Sequence, residues 1–245
     1  MKELLHAFFM CQSMFCAVPC PVSIWDENAR DKLLWCLPLV GLEIGVLWWG
    51  SAWLLRWLHL PQALSAGLLC VLPFWATGGM HLDGFMDVTD AVGSCRDLSR
   101  RREILKDSHV GSFAVIGFGI LLLLQFSACF SLAGKSLAGL VLIPVVSRCC
   151  SAVAVSVLPK MTTSQYASQN SRRADWLIPV LTCLAAMLLG FIWDVSTLVV
   201  LLACLAGYGI ALRHAYRSLQ GMNGDISGYA LTISELVALM AMALL

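Results

Sequence analysis

The chain has 245 residues, of which 59% are hydrophobic and 13% are charged, and its formal net charge is +1. Soluble domains carry roughly a quarter charged residues, so this composition excludes an ordinary soluble protein and predicts an integral membrane protein. The nearly neutral net charge gives no indication of a polyanionic partner, and we expect no binding of nucleic acid.

The N-terminal segment, residues 1–21, is apolar but is interrupted by His6 and Gln12. A secretory signal needs a longer unbroken apolar core, and Pro19 and Pro21 interrupt any helix here. We therefore predict an interfacial or partly inserted helix. The sequence leaves open whether residues 4–20 cross the membrane completely.

The rest of the chain contains apolar segments long enough to span a bilayer, which takes about 20 residues per helix. Seven candidates lie near residues 34–55, 62–80, 111–133, 137–158, 176–193, 196–212 and 227–245. The fifth and sixth are separated only by Asp194 and its neighbours, which predicts a tight hairpin. The expected fold is an all-α, polytopic membrane helix bundle with about seven transmembrane helices plus an N-terminal interfacial helix.

Basic residues are distributed unevenly between the predicted loops. Of the 16 lysines and arginines, Arg148 lies within a span, Arg56 and Lys135 lie on one predicted side, and the remaining 13 lie on the other. Because lysine and arginine are enriched in cytoplasmic loops, the richer side is predicted to face the cytoplasm. The loops 91–110, 159–175 and 213–226 fall on that side, and we expect the chemistry there.

Three aspartates follow the second predicted span, in the run Thr-Gly-Gly-Met-His-Leu-Asp-Gly-Phe-Met-Asp-Val-Thr-Asp over residues 77–90. On a helix, Asp83, Asp87 and Asp90 share one face because residues three and four apart are neighbours. Such a group of carboxylates repels itself unless a cation lies among them, and Mg²⁺ prefers carboxylate and phosphate oxygens. The sequence therefore predicts a metal-dependent phosphate site at a membrane surface.

The same run contains further candidates for that site. Gly78 and Gly79 would let the backbone approach a ligand closely. His81 lies two residues before Asp83 and leaves the acidic face if the helix already includes it. It could orient a carboxylate, act as a base, or lie at the interface without a catalytic role.

The predicted loop after the aspartates carries five basic residues between Arg96 and Gly111. For Arg100, Arg101 and Arg102, contact with anionic lipid head groups is the favoured interpretation. Lys106 and Asp107 lie just before the next span, where the lysine could neutralise phosphate and the aspartate could add a metal ligand.

The start of the last span is rich in glycine and reads Gly-Met-Asn-Gly-Asp-Ile-Ser-Gly from residue 221. The turn at Gly224 has the flexibility to wrap a phosphate. Asp225 could bind metal, although capping of the helix would also explain it. Glu235 lies ten residues deeper in an apolar span, where an acid is costly and indicates function.

Within the other spans, ionisable residues are few. Most of the 11 cysteines lie in apolar runs, and we expect buried free thiols rather than disulfides or a zinc site. Glu43 and Arg148 could form a structural pair, but we favour Arg148 facing the polar site. The polar loop 159–175 could cover a ligand or be a solvated connection.

These motifs together resemble the cobalamin synthase family, the adenosylcobinamide-GDP ribazoletransferases. The resemblance spans nearly the whole chain, with departures at Met86 and Ala91. Its motifs are Leu37–Gly41, Thr77–Gly84 with Asp87 and Asp90, Glu103–Ser108 with Gly111, Ser147–Arg148, and Asn223–Asp225 with Gly228 and Glu235.

The resemblance implies a single integral membrane transferase domain over residues 1–245 in the bacterial inner membrane. It would join α-ribazole, or its 5′-phosphate, to adenosylcobinamide-GDP with release of GMP, and it would depend on Mg²⁺. Its expected partners are these substrates, membrane lipid, and a second copy or other cobalamin-assembly enzymes.

In the mechanism we expect, Asp83, Asp87, Asp90 and Asp225 hold the metal against the diphosphate, while Lys106 and Arg148 take residual phosphate charge. The base is one of the acids or His81.

Two other functions would also explain aspartates on membrane helices. A CDP-alcohol phosphotransferase also carries several aspartates on membrane helices, but its signature continues to an arginine that is absent after Asp83-Gly84. A cation transporter would place the acids near the membrane midplane between repeats, whereas these acids are predicted at one face.

Overall fold

The computed structural model describes residues 2–161 and 173–245, and its regular structure in these ranges is helical. The helices are α1 (Lys2–Phe15), α2 (Leu33–Trp57), α3 (Gln62–Ala76), α4 (Met80–Gly93), α5 (Leu98–Ile104), α6 (Ser112–Phe130), α7 (Gly139–Val157), α8 (Arg173–Trp193), α9 (Val195–Leu219) and α10 (Gly224–Leu244). The predicted all-α polytopic bundle is confirmed.

Six segments in the described residues are long and apolar enough to cross a membrane: Arg30–Trp57, Ser112–Phe130, Gly139–Val157, Asp175–Trp193, Val195–Leu219 and Gly224–Leu244. A seventh crossing exists only if α3 and α4, which are bent by 90°, count as one broken span. The predicted span over residues 62–80 is therefore not one continuous helix, because α3 ends at Ala76. α3 has 15 residues, which at 1.5 Å per residue makes about 22 Å, short of a bilayer core of roughly 30 Å.

The bend between α3 and α4 is made by two consecutive glycines in the left-handed conformation, Gly78 at φ +61° and Gly79 at φ +77°. The Gly79 N–H donates to the Phe74 carbonyl at 2.8 Å, and the Gly78 N–H donates to the Trp75 carbonyl at 3.0 Å. This pair of bonds is the Schellman motif, which ends a helix and favours glycine because positive φ strains other residues. The two glycines thus end α3 and aim α4 in a new direction.

The cross-helix hydrogen bonds define two ends of the bundle. At one end, Arg56 Nη2 donates to the Leu132 carbonyl at 2.6 Å. At the other, the Met161 N–H donates to the Met222 carbonyl at 2.9 Å. We call the latter, made of residues 93–112, 157–161 and 219–225, the polar end. It gathers the loops that the charge pattern places together, while its cytoplasmic orientation stays a prediction. Most of the loop 159–175 lies outside the described residues.

α7 and α10 form the centre of the bundle. In their apolar stretches 78% and 67% of the residues are buried, compared with 17% in α8. α8 leaves a stripe of exposed side chains, Leu181, Leu184, Leu188 and Ile192. This three-to-four-residue spacing marks one helix face, which is suited to lipid. The predicted tight hairpin is present, because only Asp194 separates α8 from α9.

α1 packs against α2 through Ala7, Met10 and Cys11, which are buried. It has 14 residues and ends at Phe15, so it is not among the candidate spans. The following segment folds back over the bundle, where the Ala17 N–H donates to the carbonyl of Ala76 at 2.7 Å. The N-terminus therefore covers the α3–α4 bend, and its interfacial position stays a prediction. All 11 cysteines are free thiols.

Candidate active site

The three predicted aspartates lie on α4, whose opposite face is buried through Phe85, Val88 and Ala91. Asp83 is exposed, and Asp87 and Asp90 are half-buried. The helix predicted for this run is therefore present. Its apolar face packs into the bundle while its carboxylates line the outer face of the bend.

Asp225 is brought to α4 by an unusually close approach between α4 and α10. A Cβ on Gly84 would lie 2.8 Å from Asp225 Cα, and a Cβ on Gly228 would lie 3.2 Å from His81 Cα. A side chain at Gly84 would therefore force the two backbones apart, and one at Gly228 would require a smaller shift. The glycines explain how an acid at the start of α10 joins the acids of α4.

Asp225 does not cap α10, so the alternative explanation for this acid is wrong. The cap is Asn223, whose Oδ1 accepts from the Ile226 N–H at 3.0 Å. The Asn223 amide also donates to Asp225 Oδ2 at 2.7 Å and thereby orients the carboxylate. Sequence reasoning missed this role, although an asparagine just before a helix that starts with Gly-Asp is a recognisable cap signal.

The four carboxylates act on one another electrostatically. Asp83, Asp90 and Asp225 all exert Coulombic repulsion on Asp87, and Asp83 also acts on Asp225. Asp90 lies against the start of α6, where a Cβ on Gly111 would overlap its carboxylate oxygens. The partial positive charge of a helix N-terminus favours a carboxylate there. Asp90 is thus held beside α6, and Asp225 is held by the Asn223 amide.

The donor set suits Mg²⁺ because it consists of hard carboxylate oxygens. In residues 2–161 and 173–245, however, no three His, Cys, Asp or Glu side chains are close enough to form a complete metal cage. Mg²⁺ commonly binds one or two carboxylates and takes further ligands from substrate phosphates and water. The arrangement fits a metal site that the substrate completes.

Lys106 and Asp107, also predicted for the site, are exposed beyond α5. Asp107 Oδ1 accepts from the His109 N–H at 3.1 Å and lies 2.6 Å from His109 Nδ1. These hydrogen bonds hold the pKa of Asp107 below its usual value. The predicted metal role of Asp107 has no geometric support, since its hydrogen bonds stay within its own turn.

The arginines predicted to meet lipid have other partners. Arg102 donates to the carbonyls of Leu219 at 3.0 Å and Gln220 at 2.7 Å, and Arg101 donates to Ser218 at 3.4 Å. Cations favour the carbonyl end of a helix. α5 therefore fastens the end of α9 and the turn that leads to α10.

Arg148 and Glu235, predicted to bind substrate, form a buried ion pair across α7 and α10. Arg148 Nη1 lies 2.7 Å from Glu235 Oε1, with the side chains 1% and 10% exposed. Ser147 Oγ also donates to Glu235 Oε1 at 2.8 Å. The alternative pairing of Arg148 with Glu43 is wrong, because Glu43 instead accepts from Gln12 at 3.1 Å.

His81 is part of α4, so its side chain does not lie on the acidic face, as predicted for a helix that includes this residue. Its ring stacks on Phe15 with centroids 6.4 Å apart, and its Nε2 is buried. The ring lines a small cavity beside Arg148 and Glu235. This orientation offers no support for His81 as the catalytic base.

Comparison with known proteins finds similarity over almost the entire chain. Residues 7–243 match the family model described as cobalamin-5-phosphate synthase. An adenosylcobinamide-GDP ribazoletransferase of Clostridium botulinum (strain Alaska E43 / Type E3) is 32% identical over 250 residues, which cover 100% of this chain and 99% of the relative. One of Clostridium perfringens (strain SM101 / Type A) is 34% identical over 251 residues and 100% of both chains. No solved structure matches.

Proposed function

Since the chain belongs to the cobalamin-5-phosphate synthase family, we propose that it is an adenosylcobinamide-GDP ribazoletransferase. It joins α-ribazole, or its 5′-phosphate, to adenosylcobinamide-GDP and releases GMP. The product is adenosylcobalamin or its 5′-phosphate, so the reaction is the last assembly step of the cofactor.

The reaction replaces the phosphoanhydride bond of the diphosphate with a phosphodiester bond to α-ribazole. A ribose hydroxyl oxygen of α-ribazole bonds to the phosphorus on the corrinoid side of the diphosphate. The bond from that phosphorus to the bridging oxygen breaks, the bridging oxygen leaves with GMP, and the hydroxyl proton passes to a base. Such transfers depend on in-line positioning and on neutralising phosphate charge.

The observation that carries the proposal is the meeting of acids from α4 and α10 at the polar end. Asp83 and Asp87 come from α4, and Asp225 comes from the first turn of α10. One or two of these carboxylates would bind Mg²⁺, which when bound supplies the positive charge that lets a diphosphate approach the acids. Asp90 contributes negative charge from beside the start of α6. The diphosphate would complete the set of ligands.

The proton acceptor in this proposal is a carboxylate. It is an acid of this group that does not bind the metal, because a carboxylate next to a bound cation is a weaker base. His81 is a poor candidate because its Nε2 is buried beside Arg148. Asn223 holds Asp225 in place through its amide.

We place the polar end at the cytoplasmic face of the bacterial inner membrane. This orientation rests on the enrichment of lysine and arginine in the loops at that end. Both substrates are charged or highly polar, which agrees with entry from water rather than from lipid.

The test is release of GMP from adenosylcobinamide-GDP by the purified protein in detergent or nanodiscs. We expect release only when both α-ribazole and a divalent cation are present. Asp83→Asn and Asp87→Asn should lose most turnover, whereas Asp194→Asn, at the opposite end of the bundle, should retain it.

Three results would contradict the proposal. Full turnover of the Asp83→Asn and Asp87→Asn proteins at saturating Mg²⁺ would remove the role of the acids. Release of CMP from CDP-diacylglycerol without any reaction of the GDP-corrinoid would favour a CDP-alcohol phosphotransferase. Cation flux in liposomes without nucleotide release would favour a transporter.

A further inference from the structure

A small, partly open cavity lies at the bend between α3 and α4, behind the acidic helix. Five helices contribute to it, and its polar lining consists of Thr77, His81, Gln125, Arg148, Thr232 and Glu235. His81 and Asp83 are two residues apart on α4, so their side chains leave the helix in nearly opposite directions. The cavity is therefore separate from the acidic face.

Two of the side chains that line this cavity have buried polar atoms without a partner in the described residues. They are Arg148, through Nε and Nη2, and His81, through Nε2. Arg148 uses only Nη1 for its bonds to Glu235 at 2.7 Å and to the Pro144 carbonyl at 3.2 Å. Buried polar atoms in folded proteins nearly always have a hydrogen-bonding partner, either protein or ordered water.

Most donors of the neighbouring polar side chains are already used, namely both threonine hydroxyls and one of the two N–H groups of Gln125. Gln125 Nε2 donates to the Cys70 carbonyl at 2.7 Å, and Thr77 Oγ1 donates to the Pro73 carbonyl at 2.9 Å. Thr232 Oγ1 donates to the backbone carbonyl of His81 at 3.2 Å. The hydroxyl oxygens keep lone pairs that can accept.

We propose that the cavity binds one ordered water molecule and that His81 is a positioning residue that acts through it. The Arg148 guanidinium donates to the water oxygen, and the water donates to Nε2 of a neutral His81 and to the hydroxyl oxygen of Thr77. The space open to a water-sized sphere is about 10 Å³, which is close to the minimum for one water and too small for any substrate group.

The water links the Arg148–Glu235 pair of α7 and α10 to the first turn of α4. Asp83 lies on that same turn, so a fixed His81 fixes the direction in which Asp83 points. Gly228 already sets the distance between α10 and this turn, and the water sets its rotation. This role for His81 rests on the proposed function, whereas the water site itself does not.

The first test measures the water site directly on the wild-type protein. A structure that shows ordered solvent should contain one peak within hydrogen-bonding distance of His81 Nε2 and the Arg148 guanidinium. The ¹⁵N resonances of His81 should show a protonated Nδ1 and an accepting Nε2. A direct Arg148–His81 contact without solvent, or a protonated Nε2, would overturn the proposal.

The second test separates positioning from proton transfer. His81→Leu removes the acceptor and should lower turnover about tenfold, as expected when a buried donor loses its partner. The KM of both substrates and the shape of the pH–rate profile should stay unchanged. His81→Gln can accept from the water and should recover most of the turnover, and His59→Leu at the opposite end serves as the matched control.

Each outcome of the second test either supports or contradicts the positioning role of His81. Loss of a limb of the pH–rate profile in His81→Leu would make His81 the base, and unchanged turnover would remove the positioning role. If the leucine variant fails to fold, the turnover of the glutamine variant still tests the role of His81, and the wild-type solvent peak still tests the water site. If the wild type releases no GMP, the proposed function fails while the solvent peak and the His81 tautomer still test the water.

Discussion

We predict that the buried ion pair of Arg148 and Glu235 stabilises the bundle only when both side chains are present. We consider Arg148→Met, Glu235→Gln and the double variant. Methionine keeps the length of the arginine stem without its charge, and glutamine keeps the shape of the glutamate. Either single change leaves one buried charge between α7 and α10 without its partner.

The size of the effect follows from the burial of the pair, which is 1% and 10% exposed. Removing one partner of a buried ion pair costs about 3–5 kcal/mol, whereas replacing both partners is often close to neutral. In a chain of this length 1 kcal/mol corresponds to roughly 2–4 °C, so each single variant should unfold roughly 6–20 °C lower than the wild type. The double variant should recover most of that loss.

The assay is thermal unfolding in detergent followed by tryptophan fluorescence, since Trp48 is buried in the core. The chain offers a matched control in Arg100 and Glu103, whose atoms are also 2.7 Å apart but whose side chains are 62% and 63% exposed. The corresponding Arg100→Met and Glu103→Gln variants should unfold like the wild type, because water screens an exposed pair.

Two results would refute this reasoning. If the losses of the two single variants simply add in the double variant, the side chains do not interact as the structure shows. If the buried and exposed variants behave alike, burial does not govern the strength of this ion pair.

Three further changes test how the acidic site is built. Gly84→Ala places a Cβ 2.8 Å from the backbone of α10 and should abolish turnover. Its control is Gly119→Ala on α6, whose Cβ would meet no atom within 4 Å and which should retain turnover. Equal activity of the two variants would contradict the close contact between α4 and α10. Asn223→Ser keeps a capping oxygen but loses the amide donor, so it should retain thermal stability and lose turnover, whereas Asn223→Ala should lose both, with about 1 kcal/mol of stability. Gly111→Ala should displace the carboxylate of Asp90 and reduce turnover in the GMP assay, and wild-type rates would show that this contact is dispensable.

The positions of the helices were largely predictable because the length of each hydrophobic segment indicates a membrane-spanning helix. The exception is the segment 62–80, where composition predicts one spanning helix and the structure has a bend. The sequence signal for the bend is Gly78 and Gly79, which also fit a close approach of the backbone to a ligand. A glycine pair supports either role, and only the φ angles and the bonds to Phe74 and Trp75 reveal a helix end.

For the candidate site, the sequence predicted which acids share a helix face, but it did not predict the partners of the other side chains. Helical spacing alone placed Asp83, Asp87 and Asp90 together. In contrast, the partner of Arg148 could not be read from the sequence, because Glu43 and Glu235 both lie in apolar spans and only helix packing selects one. Such pairing depends on contacts between residues far apart in the chain.

The direct test of the central claim is equilibrium binding of Mn²⁺, a paramagnetic substitute for Mg²⁺, followed by electron paramagnetic resonance. We predict that adenosylcobinamide-GDP strengthens binding to the wild type and to Asp194→Asn, and that Asp87→Asn and Asp225→Asn lose this effect. Binding that is independent of the nucleotide, or that is unchanged in the Asp87→Asn and Asp225→Asn proteins, would show that the acids of α4 and α10 do not hold a metal against the diphosphate.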